Sequence, residues 1–283
     1  MTFRVYPETF SILTAEDEQL LLSFPMTMIS LRGIGMPTYE YHTVIAPQQH
    51  GQTLIETLAR PRNFALVVSV SGVGGPSRDL WTLRQELISR LNPFVGELIF
   101  RVGMSNCLVY ELRHVVVSTG FDEGLDTGQD PYRQRLALQF IANDPVWYGT
   151  AHELTEYSPG GIWGEDLLCY NAGNFYAYPY ITVTGPLTEL VLRIVEIDAR
   201  IELNGVTLGG GESVFISTAF GSRLVLDDAG NNVALTNDST LSAFNFGFAP
   251  IRAGGLNTLH VIAVGTTMAT GVSVEWNDRV LGI

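Results

Sequence analysis

Runs of apolar residues and their alternation with polar ones predict a chain built mostly of short β-strands. The continuous β-branched run at 64–71 is typical of a strand that is buried on both faces. Partly alternating segments at 26–32 and 39–45 predict two further strands. Glycine and proline residues between those two segments predict a turn.

A β-hairpin is predicted further along the chain. Its strands are expected at 97–102 and 107–112, followed by a third strand at 113–119. At 133–141 polar and apolar residues alternate, which predicts a strand with one exposed face. Between these strands, 120–131 reads as an acidic, glycine-rich loop.

One segment, 78–91, has helical periodicity. Its apolar positions recur at a spacing that forms a single stripe: Leu80, Leu83, Leu87 and Leu91. Ser77 is a candidate cap and Asp79 falls in the first turn, where the helix dipole favours a negative charge. The helix is predicted to end at Asn92-Pro93, because a residue before proline avoids helical backbone angles.

The length of 283 residues favours two domains. We place the boundary after Trp147-Tyr148 and predict that 149–166, which contains glycine and proline, is a linker. The domains are then 1–150 and 151–283. After the linker only strand patterns follow, near 178–184, 189–195, 199–203, 213–217, 222–226, 233–235, 257–263 and 270–276. The predicted fold is mainly β, with two β-sandwich domains, the first carrying the helix.

Charge narrows the classes of function. The chain has no lysine, and its two predicted domains carry net charges of −4 (eleven arginines, fifteen acidic residues) and −9 (five arginines, fourteen acidic residues). A nucleic-acid-binding protein needs a basic patch, and neither half is basic. An acidic surface repels DNA, so it suits a wall that DNA passes without binding.

Cysteine content and hydropathy point to a protein made in a reducing compartment. Cys107 and Cys169 fall in different predicted domains, so no disulfide framework is expected. The N-terminal residues lack the pattern of a secretory signal, and no apolar run has the length of a membrane-spanning helix. We therefore expect no membrane association.

Several motifs, in order, resemble the distal tail protein family of long-tailed bacteriophages. The matching segments are Gly51-Gln52 followed by an apolar run and Arg60 or Arg62, the helix that leads to Leu91-Asn92-Pro93 and Gly96, the hairpin after it, Phe140–Tyr148 (FIANDPVWY), Asn171–Asn174 (NAGN) before Tyr178–Ile181 (YPYI) and Gly185, and Gly254–Asn257 (GGLN). The resemblance spans about residues 20–280.

The resemblance implies a fold and a role. The first domain is expected to be a tail-tube-like sandwich, and the second a galectin-like or jelly-roll sandwich. Six copies are expected to form a ring around the DNA channel at the tail tip of the virion, assembled in the host cytoplasm. The implied partners are the tail-tube protein, the tail-tip hub protein and, in some members, receptor-binding proteins, while genomic DNA passes without specific binding.

Two groups of residues are candidates for the ring interface or the channel wall. Arg133 and Arg135 alternate along the predicted strand at 133–141. The acidic loop supplies Asp122, Glu123, Asp126 and Asp130. These oxygen ligands suit calcium, but the order of an EF-hand is absent, so we predict a solvated loop and no metal site.

Aromatic residues concentrate around the predicted domain junction, and five are candidates: Trp147, Tyr148, Trp163, Tyr176 and Tyr178. They either pack between the domains or contact a protein or a glycan. A carbohydrate-binding module that recognises host-surface glycans through the second domain is therefore the alternative function.

Catalysis is not expected. None of the five histidines has the spacing of metal ligands, and no nucleophile-elbow motif occurs. The Gly72–Gly75 segment lacks the full dinucleotide-binding pattern and the βαβ unit that would surround it. The sequence thus predicts a structural protein with no catalytic residues, no cofactor and no bound metal.

Overall fold

The computed structural model divides the chain into two compact units. The first comprises Met1–Gly149 together with Val280–Ile283, and the second comprises Thr150–Arg279. The last four residues thus belong to the first unit, although the sequence analysis assigned them to the second domain. The structure describes residues 7–14, 19–22, 25–45, 50–72, 80–105, 107–122, 133–203, 206–219, 222–233, 240–241, 247–248 and 256–283.

The first unit is a β-structure with one helix in its described part. The helix is α1 (Leu80–Arg90), and the strands are β1 (Pro7–Leu13), β2 (Gln19–Leu21), β3 (Met26–Arg32), β4 (Tyr39–Val44), β5 (Thr53–Ala59), β6 (Arg62–Ser71), β7 (Leu98–Met104), β8 (Val109–Asp122) and β9 (Arg133–Ala142). The strand β10 (Trp147–Tyr157) begins in this unit and continues in the second.

Two sheet segments meet at β8. The start of β8 pairs with β7 and β10, and β7 continues the order to β1 and β2. From Val115 onward β8 pairs with β9, which leads to β6 and β3. Between these two parts His114 has a φ of 55°, the left-handed conformation that lets the strand change direction. The predicted separate strand at 113–119 is therefore wrong, since one strand runs through it.

The apolar core of the first unit joins the helix to the sheets. Leu83, Leu87 and Leu91 are buried, as the helical stripe predicts, in one cluster with Leu66 and Phe100. The observed helix, Leu80–Arg90, lies within the predicted segment and confirms it. Ser77 and Asp79, the predicted cap and first-turn acid, lie outside the described residues.

The second unit is a β-sandwich. Its further strands are β11 (Gly161–Tyr170), β12 (Tyr180–Thr184), β13 (Glu189–Ile194), β14 (Ala199–Leu203), β15 (Ser213–Ser217), β16 (Leu224–Asp227), β17 (Thr240–Leu241), β18 (Leu256–Thr266) and β19 (Gly271–Val280). One sheet has the order β11-β18-β13-β14-β17, and the other contains β16-β15-β12-β19. Inward-facing residues of both sheets form one core that includes Trp163, Leu192, Val214 and Val274.

Two predictions for this region are corrected. The segment 149–166 is not a linker, because β10 and β11 run through most of it. Gly160 and Gly161, with φ of 101° and 83°, form the turn that carries the chain from one sheet to the other. No strand is formed at Val233, and 234–235 lie outside the described residues. The described part contains no helix with the length and apolarity to span a membrane.

Candidate assembly surface

The strands β4 and β5 form an antiparallel hairpin that is a two-stranded sheet of its own. At its base the Arg60 amide donates to the Thr38 carbonyl at 2.9 Å. Its apolar side chains are largely exposed, reaching 62% for Tyr41, 54% for Leu54 and 66% for Ile55. An isolated two-stranded hairpin is marginally stable in water, and exposed apolar patches mark interaction sites. The hairpin is therefore a candidate surface for another protein.

The two faces of the hairpin differ in charge. Residues paired across the strands share a face, so Tyr39, Tyr41, Leu54, Thr57 and Ala59 lie together. Among the described residues of the hairpin, this uncharged face contains no ionisable group other than tyrosine.

The opposite face carries charge. It holds the paired residues His42 and Glu56, together with Glu40, whose carboxylate contacts Arg60 at 3.0 Å. A protein that covers the hairpin can bury the uncharged face without burying these charges. The uncharged face is therefore the side suited to contact a partner.

The base of the hairpin is fixed by the segment that resembled a family motif, Asn143–Tyr148. The Asp144 carboxylate accepts from the Val146 amide at 3.2 Å and from the Tyr148 hydroxyl at 2.5 Å. The Trp147 indole donates to the Ile34 carbonyl at 3.3 Å, just before the hairpin. The motif thus holds the backbone at the base of the hairpin in place.

Open strand edges form a second feature of the first unit. Among the described residues β3 pairs only with β6, and the Val116–Asp122 part of β8 pairs only with β9. The sheet β3-β6-β9-β8 therefore presents an open edge at each end. Open edges are templates for pairing with another chain.

Arg133 and Arg135 lie on β9 in this sheet, and both side chains are exposed. The Arg133 Nε donates to the Ser69 hydroxyl at 2.8 Å, and Arg135 is paired across the strands with Ser69. Their assignment to a ring interface or a channel wall stays a prediction. Asp122 is the last residue of β8, while Glu123, Asp126 and Asp130 lie outside the described residues.

The aromatic candidates separate into core and surface residues. Trp147 and Trp163, predicted either to pack between the domains or to contact a glycan or a protein, are buried in the cores of the first and second units respectively. They are large apolar side chains on inward-facing strand positions, so the core takes them.

The three tyrosine candidates keep accessible surface. Tyr148 is half-buried under the Arg113 guanidinium, 4.3 Å from the ring centre. In the second unit Tyr176 is exposed, and Tyr178 packs against Arg279 at 5.0 Å. The carbohydrate-binding alternative stays a prediction, for which Tyr176 and Tyr178 are the candidate residues in the second unit.

The described residues contain no group of three or more His, Cys, Asp or Glu side chains arranged to hold a metal ion. Four histidines each lie beside one carboxylate: His42 with Glu40, His114 with Glu97, His152 with Asp278, and His260 with Asp166. Each such pair is an ion pair or a hydrogen bond and supplies too few ligands for a metal.

Comparison with solved structures shows that nearly all of the chain shares one known fold. The SPP1 Dit (gp 19.1) protein, described as a paradigm of the hub adsorption apparatus of phages that infect Gram-positive bacteria, superposes with a TM-score of 0.63 at 12% identity. The match covers 96% of this chain and 99% of that chain. This chain has the fold of SPP1 Dit.

Weaker matches are chains from the phage p2 baseplate in its activated conformation. Their TM-scores are 0.49 for the strontium form and 0.48 for the calcium form, each at 6% identity over 94% of this chain and 97% of that chain. No family model and no curated protein matches the sequence.

The hairpin was not predicted from the sequence as a candidate surface. A strand was predicted at 39–45, but the apolar run after Gly51-Gln52 was treated only as part of a motif. A signal was present, because Leu54, Ile55 and Leu58 do not alternate strictly with polar residues as a half-buried strand requires. Such a pattern indicates apolar side chains on both faces of a strand.

Proposed function

We propose that this chain is a structural protein of the tail tip of a long-tailed bacteriophage. In this proposal six copies form a ring that joins the tail tube to the tip and surrounds the DNA channel. Its partners are other copies of itself, the tail-tube protein and the tip hub protein, with receptor-binding proteins as further candidates. The role is architectural and includes no catalytic step.

The observation that carries the proposal is the exposed apolar hairpin β4–β5 on a chain with the SPP1 Dit fold. Full burial of an Ile or Leu side chain contributes about 1.5–3 kcal/mol, so its exposed apolar side chains can support a stable contact. The same side chains contribute little to the stability of an isolated copy. An element of this kind is expected in a chain that works as part of an assembly.

The open edges of the sheet β3-β6-β9-β8 are compatible with a ring. The two edges belong to different strands, so joining β3 of one copy to β8 of the next is a head-to-tail contact. Contacts of that type close into rings when the rotation between copies divides a full turn. Closure also removes every open edge of this sheet.

Charge supports passage of DNA through such a ring. The chain carries a net charge of −13, so its average electrostatic effect on a polyanion is repulsive. Within the proposal, Arg133 and Arg135 lie on the sheet that forms the ring, where they contact either a neighbouring copy or the channel.

The test is the mass and shape of the purified full-length protein. Light scattering is expected to give about 186 kDa, six times the 31.0 kDa of one chain, and negative-stain microscopy to show rings with a central hole. A species that stays at 31.0 kDa over the whole concentration range, and that adds no density to purified tail tubes, would contradict the proposal.

A matched pair of variants tests the edge contact. Ile29 on β3 is exposed, and Ile29→Lys places on that edge the residue type that most often blocks strand pairing. Ile162→Lys introduces the same charge at an exposed position of the second unit. Only the first change is expected to abolish rings. Equal ring formation by both variants would show that β3 is not an interface.

A further inference from the structure

We infer that Arg62 is a positioning residue that holds the base of the β4–β5 hairpin in the geometry needed for assembly. The inference rests on the proposed function only in that it refers to assembly. The contacts from which it is argued lie within the first unit of a single copy. It assigns to one buried arginine a role that its exposed neighbour Arg60 does not share.

Arg62 is a buried cation held by backbone carbonyls. Its side chain is 2% exposed, and it donates to four carbonyl oxygens. Nε and one terminal nitrogen bind the Pro145 carbonyl at 3.0 and 2.7 Å, and that terminal nitrogen also binds the Leu281 carbonyl at 2.6 Å. The other terminal nitrogen binds the Gly33 carbonyl at 3.1 Å and the Gly35 carbonyl.

These bonds fix the segment from which the hairpin rises. The carbonyls of Gly33 and Gly35 are bound by Arg62, and the carbonyl of Ile34 between them is bound by the Trp147 indole. Three successive carbonyls are therefore held by two side chains. Four residues after Gly35 the first strand of the hairpin begins at Tyr39.

Close backbone packing at the same place leaves little freedom. A Cβ atom on Gly33 would lie 2.5 Å from the Asn63 carbonyl oxygen, and Gly33 has a φ of 89°. A Cβ atom on Gly282 would lie 2.8 Å from the Gly35 carbonyl carbon. The C-terminal residues of the chain thus pack directly on the base of the hairpin, and only glycine fits at these positions.

The chemistry requires arginine. Burial lowers the pKa of Arg62, and the electrostatic influence of Tyr39 opposes that shift. No carboxylate contacts Arg62 in the described part of the chain, so carbonyl dipoles stabilise the charge. A planar guanidinium presents five donors and can bridge several segments at once, whereas a lysine ammonium is a compact charge on a flexible stem.

The same guanidinium also joins both connections to the second unit. Pro145 lies five residues before Thr150, where the second unit begins, and Leu281 lies two residues after Arg279, where it ends. Arg62 therefore ties the base of the hairpin to the chain segments that enter and leave the second unit. Its removal is expected to loosen these three segments together.

The test is hydrogen–deuterium exchange of the full-length protein, comparing wild type with Arg62→Met, Arg62→Lys and Arg60→Met. In Arg62→Met, amides of β4, β5 and the C-terminal residues are expected to exchange at least about tenfold faster, while β13 and β18 are unchanged. Arg62→Lys is expected to behave like Arg62→Met, because one ammonium cannot bridge the carbonyls. Arg60→Met, which removes only the exposed contact to Glu40, is expected to match wild type.

Assembly is measured on the same samples. Arg62→Met is expected to lose rings while Arg60→Met keeps them. Unchanged hairpin exchange in Arg62→Met would overturn the inference whatever the assembly state. If wild type forms no ring although the exchange pattern is as expected, the proposed function fails and the positioning role stands.

If Arg62→Met unfolds globally, two milder changes are tested instead. Trp147→Phe removes the bond to the Ile34 carbonyl, and Gly282→Ala pushes the C-terminal residues away from Gly35. Faster exchange confined to the hairpin and the C-terminal residues supports the inference. Exchange that rises uniformly, or not at all, overturns it.

Discussion

The first unit contains two antiparallel strand pairs of similar apolar content, one buried in the core and the other largely exposed. In β6–β9, Leu66 and Val68 are fully buried against the partner strand, the helix and the sheet beyond. In β4–β5, Leu54 and Ile55 remain mostly exposed, and the hairpin pairs with no other strand of the described structure. Apolar side chains thus serve folding in the first pair and are available for association in the second.

The largest expected effect is on the free energy of unfolding, and it differs between the two strand pairs. Leu66→Ala should lower the free energy of unfolding by about 2–5 kcal/mol, because it leaves a cavity in a closely packed core. Leu58→Ala in the hairpin should change it by less than about 0.5 kcal/mol. Urea denaturation of both variants measures the difference. A Leu58→Ala cost as large as that of Leu66→Ala would place the hairpin in the folding core.

The next effect concerns association. Leu54→Ser on the uncharged face should leave folding unchanged and weaken assembly by about tenfold or more, equivalent to about 1.4 kcal/mol, since one apolar anchor is lost. Leu224→Ser at an exposed site of the second unit is the control. Mass photometry over a dilution series reports both. Identical dissociation curves would remove the hairpin from the interface.

Ion pairs of the first unit are expected to make its stability depend on pH. Glu111 on β8 accepts from Arg101 at 3.0 Å and from Arg113 at 3.0 Å. Burial acts to raise the pKa of Glu111, but the hydrogen bonds and charges of these two arginines lower it below its ordinary value of 4.5. A depressed acid pKa adds stability above the unfolded value, and that stability is lost as the pH falls through the folded value.

Wild type should therefore exceed Glu111→Gln by about 1–2 kcal/mol in free energy of unfolding at neutral pH. The difference should shrink as the pH falls below 4.5. In the hairpin, Glu40→Gln removes an exposed pair with Arg60 and should cost less than about 0.5 kcal/mol. Urea titrations at several pH values test this, and a pH-independent Glu111→Gln cost would refute the assignment.

The smallest expected effect is a difference in reactivity between the two thiols, which reports how exposed each one is. Burial, with a further contribution from the charge of Glu196, raises the pKa of Cys169 to about 12. Cys169 should therefore resist a thiol reagent in the folded protein, while the exposed Cys107 should react. Mass spectrometry after brief labelling identifies the modified residue, and unfolding in urea should make both react. Early labelling of Cys169 would show that the second sandwich opens readily.

Local patterns were enough to predict much of the fold. The helix stripe, the β7–β8 hairpin and the run at 64–71 depend on periodicity and turn residues, which act over a few neighbours. The linker prediction failed because Gly160 and Gly161 were taken as the mark of a flexible connection. They form the turn between β10 and β11, and only the pairing of β11 with β18 shows that.

The assembly surface was less accessible to sequence reasoning. The motif that contained Arg60 or Arg62 was recognised, but nothing in the sequence separates two arginines two positions apart. Arg60 lies in the connection after β5, where it pairs with Glu40 at the surface, whereas Arg62 begins β6 and is buried among carbonyls. Trp147 and Trp163 were candidates either for packing between the domains or for contact with a protein or a glycan, because aromatic residues concentrate at interfaces, and the structure buries both.

The sequence by itself determined the mainly β class, the single helix in the described part, the acidic charge and the order of motifs, because each depends on local propensity or on composition. Tertiary structure alone decided which apolar strands form the core and which remain exposed. It also decided which arginine binds the carbonyls of Gly33, Pro145 and Leu281. Those outcomes depend on contacts between residues far apart in the chain, and such contacts leave no periodic signal in the sequence.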